Sequence, residues 1–346
     1  MKSLLGVFPS FDSSIGGGVQ TSGSVAWSGL AQHGSSSPIG LSYGPSGAVR
    51  DHRMRYATSR AAAIWHAINC RNRTDQVLFW HIDLLKLLPF IAARRTEVFL
   101  FLHGIEVWRP LPALVRHLLW RVDCFLSNSD HTWNEFVRYN PEFRNQPVRC
   151  IPLGVGSNTE RPAYDSAPAA IMLGRMVRTE DYKGHREVLS AWPAVRRAIP
   201  DAQLWIIGDG DLRPELEQMA SNTEGVSFFG FLPEHEKQRL IQKARCLALP
   251  SRNEGFGLVY LEAMRYGRPC LVSSLDAGRE VVNPPEAGLA VDPDNRDELA
   301  TALTALLQPG TAKEWANRSW ERYCNHFTES HFQRRLVEAL ALSVAK

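Results

Sequence analysis

The feature that most constrains the fold is a short apolar run followed closely by glycine or small polar residues, repeated along the whole chain. In the first half such runs lie at residues 4–8, 77–80, 98–102, 124–127 and 148–151. In the second half they lie at 170–173, 204–207, 226–229, 245–250, 270–272 and 289–291. Short apolar runs separated by helical segments are typical of parallel strands covered on both faces. The sequence therefore predicts an α/β chain with two doubly wound sheets.

A change of composition divides the chain near residue 155. Residues 157–168 are rich in proline and small polar residues, which is typical of an interdomain linker. With 346 residues and 44% apolar composition, the chain is long enough to build two cores. We therefore predict an N-terminal domain over residues 1–155 and a C-terminal domain over residues 156–327.

Charge and cysteine usage indicate the compartment. Residues 1–155 hold 16 Lys and Arg against 10 Asp and Glu, so the basic character of the chain belongs to this half. A basic half hints at an anionic surface or substrate. Six separated cysteines form no C-x-x-C pair, no apolar stretch reaches the length of a membrane span, and the first apolar run is too short for a signal peptide. We expect a globular cytosolic protein with reduced cysteines.

The glycine loop after the first apolar run excludes two classes of nucleotide-binding protein. Residues 16–18 are all glycine, but Thr21 stands where the dinucleotide pattern G-x-G-x-x-G needs its last glycine. Gly18 and Gly23 have P-loop spacing, but Ser24 and Val25 replace the required Lys-Ser/Thr pair. The sequence thus argues against a dehydrogenase or an NTPase and leaves either a loop that a ligand approaches closely or a plain turn.

A second glycine loop carries the strongest candidate site. Glu254 precedes Gly255-Phe256-Gly257 directly after the apolar run at 245–250, and Glu262 follows two helical turns later. A strand, a glycine loop and a helix start present backbone N–H groups that suit phosphate. The acids would repel phosphate, so they more plausibly accept hydrogen bonds from hydroxyl groups beside it. The alternative is an ordinary helix start with a capping acid.

Two cations stand at a comparable junction earlier in the second half. Arg175 follows the run at 170–173, and Lys183 precedes a predicted helix. Together they could neutralise a diphosphate, the arginine through a bidentate fork and the lysine as a point charge. The alternative is a pair of unrelated surface cations.

Taken together, these motifs resemble those of the retaining glycosyltransferases of family 4, which use nucleotide sugars and have the GT-B architecture. The likeness covers nearly all of the second half in motif order and the first half more loosely. It implies that Arg175 and Lys183 stabilise the departing diphosphate and that Glu262 binds the ribose. It also implies that the donor sugar is held by Glu254 and the segment after it, Gly255, Phe256, Gly257, Leu258 and Val259. The insertion at residues 176–182 is longer than in the commonest form of the family.

The same resemblance assigns roles in the first half. Gly17 and Gly18 would face the donor diphosphate across a cleft between two Rossmann-like domains. His103, which follows the run at 98–102, would approach the donor sugar; a histidine in this place can also be structural. Ser129 matches a family turn and is more plausibly a helix cap than an acceptor ligand. The last helix, about 328–346, would cross back to complete the N-terminal domain.

These expectations define a function. We predict a retaining, metal-independent hexosyltransferase that uses a UDP- or GDP-linked sugar, has no cofactor, and acts in cell-surface polysaccharide or glycolipid assembly. A nucleotide-sugar epimerase with the same layout and a non-catalytic nucleotide-sugar-binding protein remain as alternatives. Nothing indicates a nucleic-acid partner.

A basic, tryptophan-containing helix suggests where the acceptor is met. Six residues at helical spacing are predicted to face the core: Leu111, Leu114, Val115, Leu118, Leu119 and Val122. This leaves Arg109, Arg116, His117, Trp120 and Arg121 facing outward. Basic residues beside tryptophan suit an anionic membrane surface, so we expect peripheral association with the cytosolic face and a lipid-linked acceptor. The alternative is a solvated helix face.

Overall fold

The computed structural model describes residues 2–11, 17–33, 38–44, 51–71, 74–92, 95–157 and 166–341. The chain forms two compact units. The first unit consists of Met1–Ser157 and Glu329–Lys346, and the second consists of Asn158–Thr328. Each unit contains one parallel sheet, which confirms the predicted α/β class. Most of the proline-rich segment predicted as a linker lies outside the described residues.

The sheet of the first unit has seven parallel strands in the order β3-β2-β1-β4-β5-β6-β7. The order reverses between β1 and β4, so loops that leave the carboxyl ends of these two strands diverge and open a crevice. The strands are β1 (Leu4–Pro9), β2 (Ile39–Tyr43), β3 (Met54–Ala57), β4 (Gln76–Phe79), β5 (Glu97–Leu102), β6 (Cys124–Ser127) and β7 (Val148–Cys150).

Strands β2 and β3 were not predicted from the sequence. Strand β2 alternates apolar residues with Gly40 and Ser42, so it lacks the continuous apolar run that marks the central strands. Its neighbours define it instead. The Ser42 hydroxyl donates to the Pro9 carbonyl, and a Cβ on Gly40 would come within 2.4 Å of the Met54 side chain. A strand that is stabilised by such contacts has no apolar pattern of its own by which the sequence could predict it.

Among the described residues of the first unit, five α-helices precede the crossover into the second unit. They are α1 (Gly18–His33), α2 (Arg60–Cys70), α3 (Leu88–Ile91), α4 (Ala113–Leu119) and α5 (Asp130–Tyr139). Residues of α2 to α5 share one apolar core with one face of the sheet. The Ser129 hydroxyl accepts a hydrogen bond from the Thr132 N–H at the start of α5, which confirms its predicted capping role.

Helix α4 corrects one expectation about the core. Val115, Leu118 and Leu119 are buried as predicted, but Leu114 is 62% exposed. Leu114 lies about 100° around the helix from Val115, outside the stripe that faces the sheet. The outward residues Arg109, Arg116, His117, Trp120 and Arg121 are exposed as predicted.

The sheet of the second unit has six parallel strands in the order β10-β9-β8-β11-β12-β13. Its order reverses between β8 and β11, which places the crevice of this sheet beyond their carboxyl ends. The strands are β8 (Ala169–Leu173), β9 (Gln203–Ile207), β10 (Val226–Gly230), β11 (Cys246–Leu249), β12 (Cys270–Ser273) and β13 (Gly288–Val291).

Seven α-helices surround this sheet in the part of the second unit that the structure describes. They are α6 (His185–Ala198), α7 (Arg213–Ala220), α8 (Glu234–Lys243), α9 (Leu258–Met264), α10 (Gly278–Val282), α11 (Arg296–Leu307) and α12 (Ala312–His326). Helix α12 ends at His326, and Phe327 and Thr328 separate it from the last helix.

The last helix, α13 (Glu329–Ala341), belongs to the first unit. It packs against α1, where a Cβ on Gly29 would come within 2.5 Å of the Gln333 side chain. The Gln76 side-chain amide also donates to the Leu340 carbonyl at 2.9 Å. Within the described part of the chain, none of the helices combines the length and hydropathy needed to span a bilayer.

Candidate active site

The candidate site in the second unit lies where the loops after β8 and β11 meet. Lys183 lies in the segment that joins β8 to α6, and Glu254 lies in the loop between β11 and α9. The Lys183 Nζ is 3.1 Å from Glu254 Oε1. The crevice between two neighbouring strands at a reversal of strand order is where ligands of doubly wound sheets bind.

Glu180 links the predicted cations. Its carboxylate lies 3.4 Å from the Lys183 Nζ and accepts a hydrogen bond from the Arg175 guanidinium. Arg175, Lys183 and Glu254 therefore form one cluster. Glu180 was not predicted to belong to it. Glu180 lies in the long insertion at 176–182. The number of residues in this insertion did not show where the Lys183 side chain would lie.

The cluster keeps Lys183 charged. Burial alone would lower the pKa of Lys183, since only 16% of its side chain is exposed. The carboxylates of Glu254 and Glu180 outweigh burial, so the pKa of Lys183 lies above its ordinary value. Because Glu180 and Glu254 already compensate the charge of Lys183, an anionic ligand must displace a carboxylate to contact it.

Gly184 permits the close approach of the two loops. Its φ of +83° is in the left-handed region that favours glycine, and a Cβ there would lie 2.7 Å from the Pro250 carbonyl oxygen. Pro250 directly precedes the loop that carries Glu254. The glycine therefore allows the lysine-bearing segment to pack beside the glutamate-bearing loop.

We expect Gly184→Ala to destabilise the second unit by about 2 kcal/mol, because alanine is strained at this φ and its methyl group meets a backbone oxygen. Calorimetric unfolding of the two proteins measures the change. Gly310→Ala is the matched control, since a Cβ at Gly310 meets no atom within 4 Å. Equal unfolding temperatures for Gly184→Ala and the wild type would contradict the close-packing argument.

Asp276 fixes the backbone around Glu254 and was missed in the sequence. The Glu254 N–H donates to Asp276 Oδ2 at 3.2 Å, and the Gly278 N–H donates to Asp276 Oδ1 at 2.9 Å. The Glu254 carbonyl in turn accepts from the Ala277 N–H. Burial raises the pKa of Asp276 to about 8. Its position between a strand and a glycine that begins a helix was the available signal.

The glycine segment after Glu254 has a defined shape. Gly257 has a φ of +84°, and a Cβ there would lie 2.2 Å from the Tyr260 ring. Phe256 is buried, and its ring lies 6.2 Å from that of Phe327. The Phe256 side chain therefore packs in the interior, so only its backbone can contact a ligand. Gly255, Leu258 and Val259 are partly exposed.

Glu262 has a different partner from Glu254. It lies on α9, and its Oε2 is 2.9 Å from the Nζ of Lys237 on α8. Lys237 also pairs with Glu234 at 2.9 Å. Burial would lower the pKa of Lys237, but Glu262 and Glu234 raise it above its ordinary value. No motif in the sequence indicated Lys237, because its role depends on the packing of α8 against α9.

The predicted residues of the first unit are joined through Trp80. Trp80 follows β4, and its indole N–H donates to the Val19 carbonyl in the first turn of α1 at 3.0 Å. The His103 Nε2 lies 2.6 Å from the Trp80 carbonyl oxygen. Gly17 and Gly18 directly precede Val19, whereas residues 13–16 of the predicted glycine loop lie outside the described residues. Trp80, fully buried, was not identified from the sequence.

His103 is a neutral side chain. Burial lowers its pKa to about 4. Because a carbonyl oxygen can only accept, the Nε2 that faces Trp80 carries the proton and Nδ1 is an acceptor. The Asn128 amide donates to the His103 carbonyl at 2.7 Å, so residues after β4, β5 and β6 hold this histidine in place.

Comparison with known proteins shows which family this region is similar to. Residues 167–309, which carry the whole lysine–glutamate cluster, match the model of the family described as Glycosyl transferases group 1. Among solved structures, Anabaena HepE in complex with UDP and glucose matches with a TM-score of 0.75 at 16% identity. This match covers 99% of the present chain and 100% of HepE.

Two curated relatives are mannosyltransferases. One is the GDP-mannose-dependent monoacylated alpha-(1-6)-phosphatidylinositol monomannoside mannosyltransferase of Corynebacterium glutamicum, 29% identical over 71% of this chain and 73% of the relative. The other is the GDP-mannose-dependent alpha-(1-6)-phosphatidylinositol monomannoside mannosyltransferase of Mycolicibacterium smegmatis. It is 31% identical over 63% of this chain and 65% of the relative.

The two parallel sheets and the structural match establish the GT-B architecture. The class of protein that this fold and the matched region define is a hexosyltransferase that uses a nucleotide sugar. The match of residues 167–309 to the group 1 glycosyltransferases confirms the resemblance to family 4 found in the sequence.

Proposed function

We propose that this chain is a retaining mannosyltransferase that moves mannose from GDP-mannose to a hydroxyl of a phosphatidylinositol-type glycolipid. The observation that carries the proposal is the buried Lys183 beside Glu254, with Arg175 in the same cluster. The choice of donor and acceptor is supported by the two relatives, whose names specify GDP-mannose and phosphatidylinositol mannosides.

The residues divide the work as follows in this proposal. Arg175 and Lys183 hold the diphosphate and stabilise the negative charge that develops on it as the sugar leaves. Glu254 accepts hydrogen bonds from sugar hydroxyls, and the backbone of residues 255–259 lies against the donor. Glu262 binds the ribose hydroxyls.

The family resemblance also assigns His103, Gly17 and Gly18 of the first unit to donor binding. His103 is neutral, so it is suited to hydrogen bonding with the sugar rather than to compensating phosphate charge. Gly17 and Gly18 bring backbone without side chains to the diphosphate.

The reaction needs no covalent intermediate on the protein. The bond between the anomeric carbon and the β-phosphate oxygen breaks, and a bond to the acceptor oxygen forms on the same face of the sugar. The acceptor proton passes to the departing phosphate oxygen. The protein contributes position and fixed charge.

The direct test is incubation with GDP-mannose and phosphatidylinositol in mixed micelles, with the product analysed by mass spectrometry and its anomeric configuration by NMR. We expect an α-linked mannolipid, formed only when both substrates are present. UDP-glucose as the better donor would overturn the donor assignment. Donor epimerisation without acceptor would favour the epimerase alternative, and binding without turnover would favour the non-catalytic one.

We expect activity to be unchanged in EDTA, because Arg175 and Lys183 supply the positive charge that a diphosphate-bound metal ion would otherwise provide. Initial rates of mannose transfer before and after chelation measure this. Loss of activity that Mg²⁺ or Mn²⁺ restores would show that these two cations are insufficient.

We further propose peripheral association of the first unit with anionic membrane. Trp120 is 55% exposed directly after α4, and Leu114, Arg109, Arg116 and Arg121 are exposed in the same segment. Each such cation near an anionic surface contributes about 1 kcal/mol. Arg116 also contacts Glu142 at 2.7 Å, so part of its charge is compensated.

Changing Arg109, Arg116 and Arg121 together to Glu should move the protein from the pellet to the supernatant when it is sedimented with anionic vesicles at low salt. The repulsion is screened at high salt, so the difference should shrink there. Neutral vesicles are the control. Equal recovery of both proteins with anionic vesicles would reject this surface.

A further inference from the structure

An apolar cavity of about 440 Å³ lies in the first unit between α2 and the segment after β4. Its walls include Ala63 and Ile64 of α2 and Leu84, Leu87 and Phe90 of the facing segment. This volume falls within the range of small-molecule binding sites. Arg60, Asp83 and Lys86 also line the cavity, and all three are exposed. The cavity is therefore an apolar site with charged residues where it meets solvent.

Helix α2 extends this apolar surface beyond the cavity. Ala63, Ala67 and Cys70 face the core, whereas Trp65 is 63% exposed and Ile68 is 52% exposed. Successive residues of a helix are about 100° apart around its axis, so Ile68 lies about 40° from Ile64 and Trp65 about 100° from it, in the same direction. Apolar side chains therefore run without interruption from the cavity to the outer face of α2. Large exposed apolar side chains grouped in this way mark an interaction site.

The charges around the cavity favour an anion. The sequence contains no Asp or Glu between Asp51 and Asp75, while this segment includes Arg55, Arg60 and Arg71. Lys86 lies 3.4 Å from Asp83, but both side chains of this pair are largely exposed, so an anionic ligand can replace the carboxylate at little cost. An apolar cavity beside exposed bases matches a ligand with one alkyl chain and one phosphate.

The cavity lies at the same edge of the sheet as His103. Tyr43, which also lines it, ends β2, and α2 begins three residues after β3 ends. Asp83 is three residues beyond Trp80, whose carbonyl pairs with the His103 ring. Because carboxyl ends of parallel strands share one edge, an amphiphile with its tail in the cavity would have its head group at the edge that carries His103.

We propose that this cavity binds an acyl chain of the glycolipid acceptor, with Arg60 and Lys86 contacting the phosphate of its head group. The proposal rests on the proposed function for the identity of the acceptor. It adds a lipid-binding site, separate from α4, that lies within the first unit.

The probe is lysophosphatidylinositol below its micellar concentration, and glycerophosphoinositol is the same head group without a chain. Ile64→Trp fills the cavity, and Met219→Trp introduces the same residue at an exposed apolar position of α7 in the second unit. Binding is measured by isothermal titration. We expect Ile64→Trp to weaken lysophosphatidylinositol binding at least about tenfold, because burial of several methylene groups is lost. Met219→Trp should bind like the wild type.

A charge-reversal pair tests the phosphate contact. Arg60→Glu with Lys86→Glu should also weaken binding at least about tenfold, whereas Arg197→Glu with Arg334→Glu changes the net charge equally away from the cavity and should not. GDP binding and unfolding temperature, measured for every variant, confirm that the fold is intact.

Three results would overturn the cavity proposal: unchanged lysophosphatidylinositol binding in Ile64→Trp, equally tight binding of glycerophosphoinositol to the wild type, or no lipid binding alongside capture of an apolar peptide. Mannose transfer separates this proposal from the proposed function. If the wild type binds the lipid through the cavity but transfers no mannose, only the proposed function fails. If it transfers mannose and Ile64→Trp binds and transfers equally well, only the cavity assignment fails.

Discussion

Lys183→Ala should lower kcat for sugar transfer by about 10²–10³, the usual loss when one group that stabilises developing charge is removed. The buried position of Lys183 makes its charge effective, because little water screens it. Glu254 and Glu180 lose their shared partner in this variant, so the local structure should also weaken. Steady-state kinetics and an unfolding curve together separate the two effects.

The matched controls are a conservative change and a distant one. Lys183→Arg keeps the positive charge but replaces the compact ammonium group by a planar guanidinium, so this variant should retain part of the activity. Lys243→Ala, an exposed lysine near the end of α8, should behave like the wild type. If Lys183→Ala retains normal kcat while its fold is intact, the diphosphate assignment for this cluster is wrong.

Glu262→Ala and Glu254→Ala should separate nucleotide binding from sugar transfer. Glu262→Ala should weaken GDP binding, because each ribose hydroxyl loses a charged acceptor and such a hydrogen bond contributes about 1.5–3 kcal/mol. Glu254→Ala should leave GDP binding near normal and reduce transfer, since its proposed contacts are to the sugar. Calorimetric titration with GDP and transfer kinetics with GDP-mannose measure the two properties.

The partners seen in the structure sharpen this test. Glu262 pairs with Lys237, so Lys237→Ala should also weaken GDP binding, by less than Glu262→Ala, through loss of orientation. Glu236→Ala, an exposed acid on the same helix as Lys237, serves as the control. GDP binding that is unaffected in both glutamate variants would rule out the proposed division of roles.

The site shows where reasoning from the sequence succeeds and where it stops. Arg175, Lys183 and Glu254 were found because each follows a strand-sized apolar run or precedes a helix, and the structure places them in one cluster. Glu180, Asp276, Lys237 and Trp80 were missed. Asp276, Lys237 and Trp80 contact residues that are distant in the sequence, and Glu180 lies inside an unusual insertion. Such contacts leave no periodic pattern in the sequence.

Some strands of the fold were predicted from the sequence and others were not. Central strands are buried on both faces, so their apolar runs are continuous and visible in the sequence. Strand β2 is specified by neighbours that fit around its small residues, and it was not visible. Leu114 shows the complementary error, because helical spacing gives the width of an apolar stripe but not the exact face that the sheet covers.

The sequence by itself determined the α/β class and the alternation of strands and helices, because burial on both faces of a strand and glycine at a tight loop are local requirements. Its motifs also carried the resemblance to family 4 glycosyltransferases. Only the tertiary structure decided that Lys183 lies between Glu180 and Glu254, that His103 is a neutral side chain held by Trp80, and that α2 exposes Trp65 beside an apolar cavity. These features depend on which distant residues become neighbours. Their charge and burial therefore follow from packing, which the order of residues does not display.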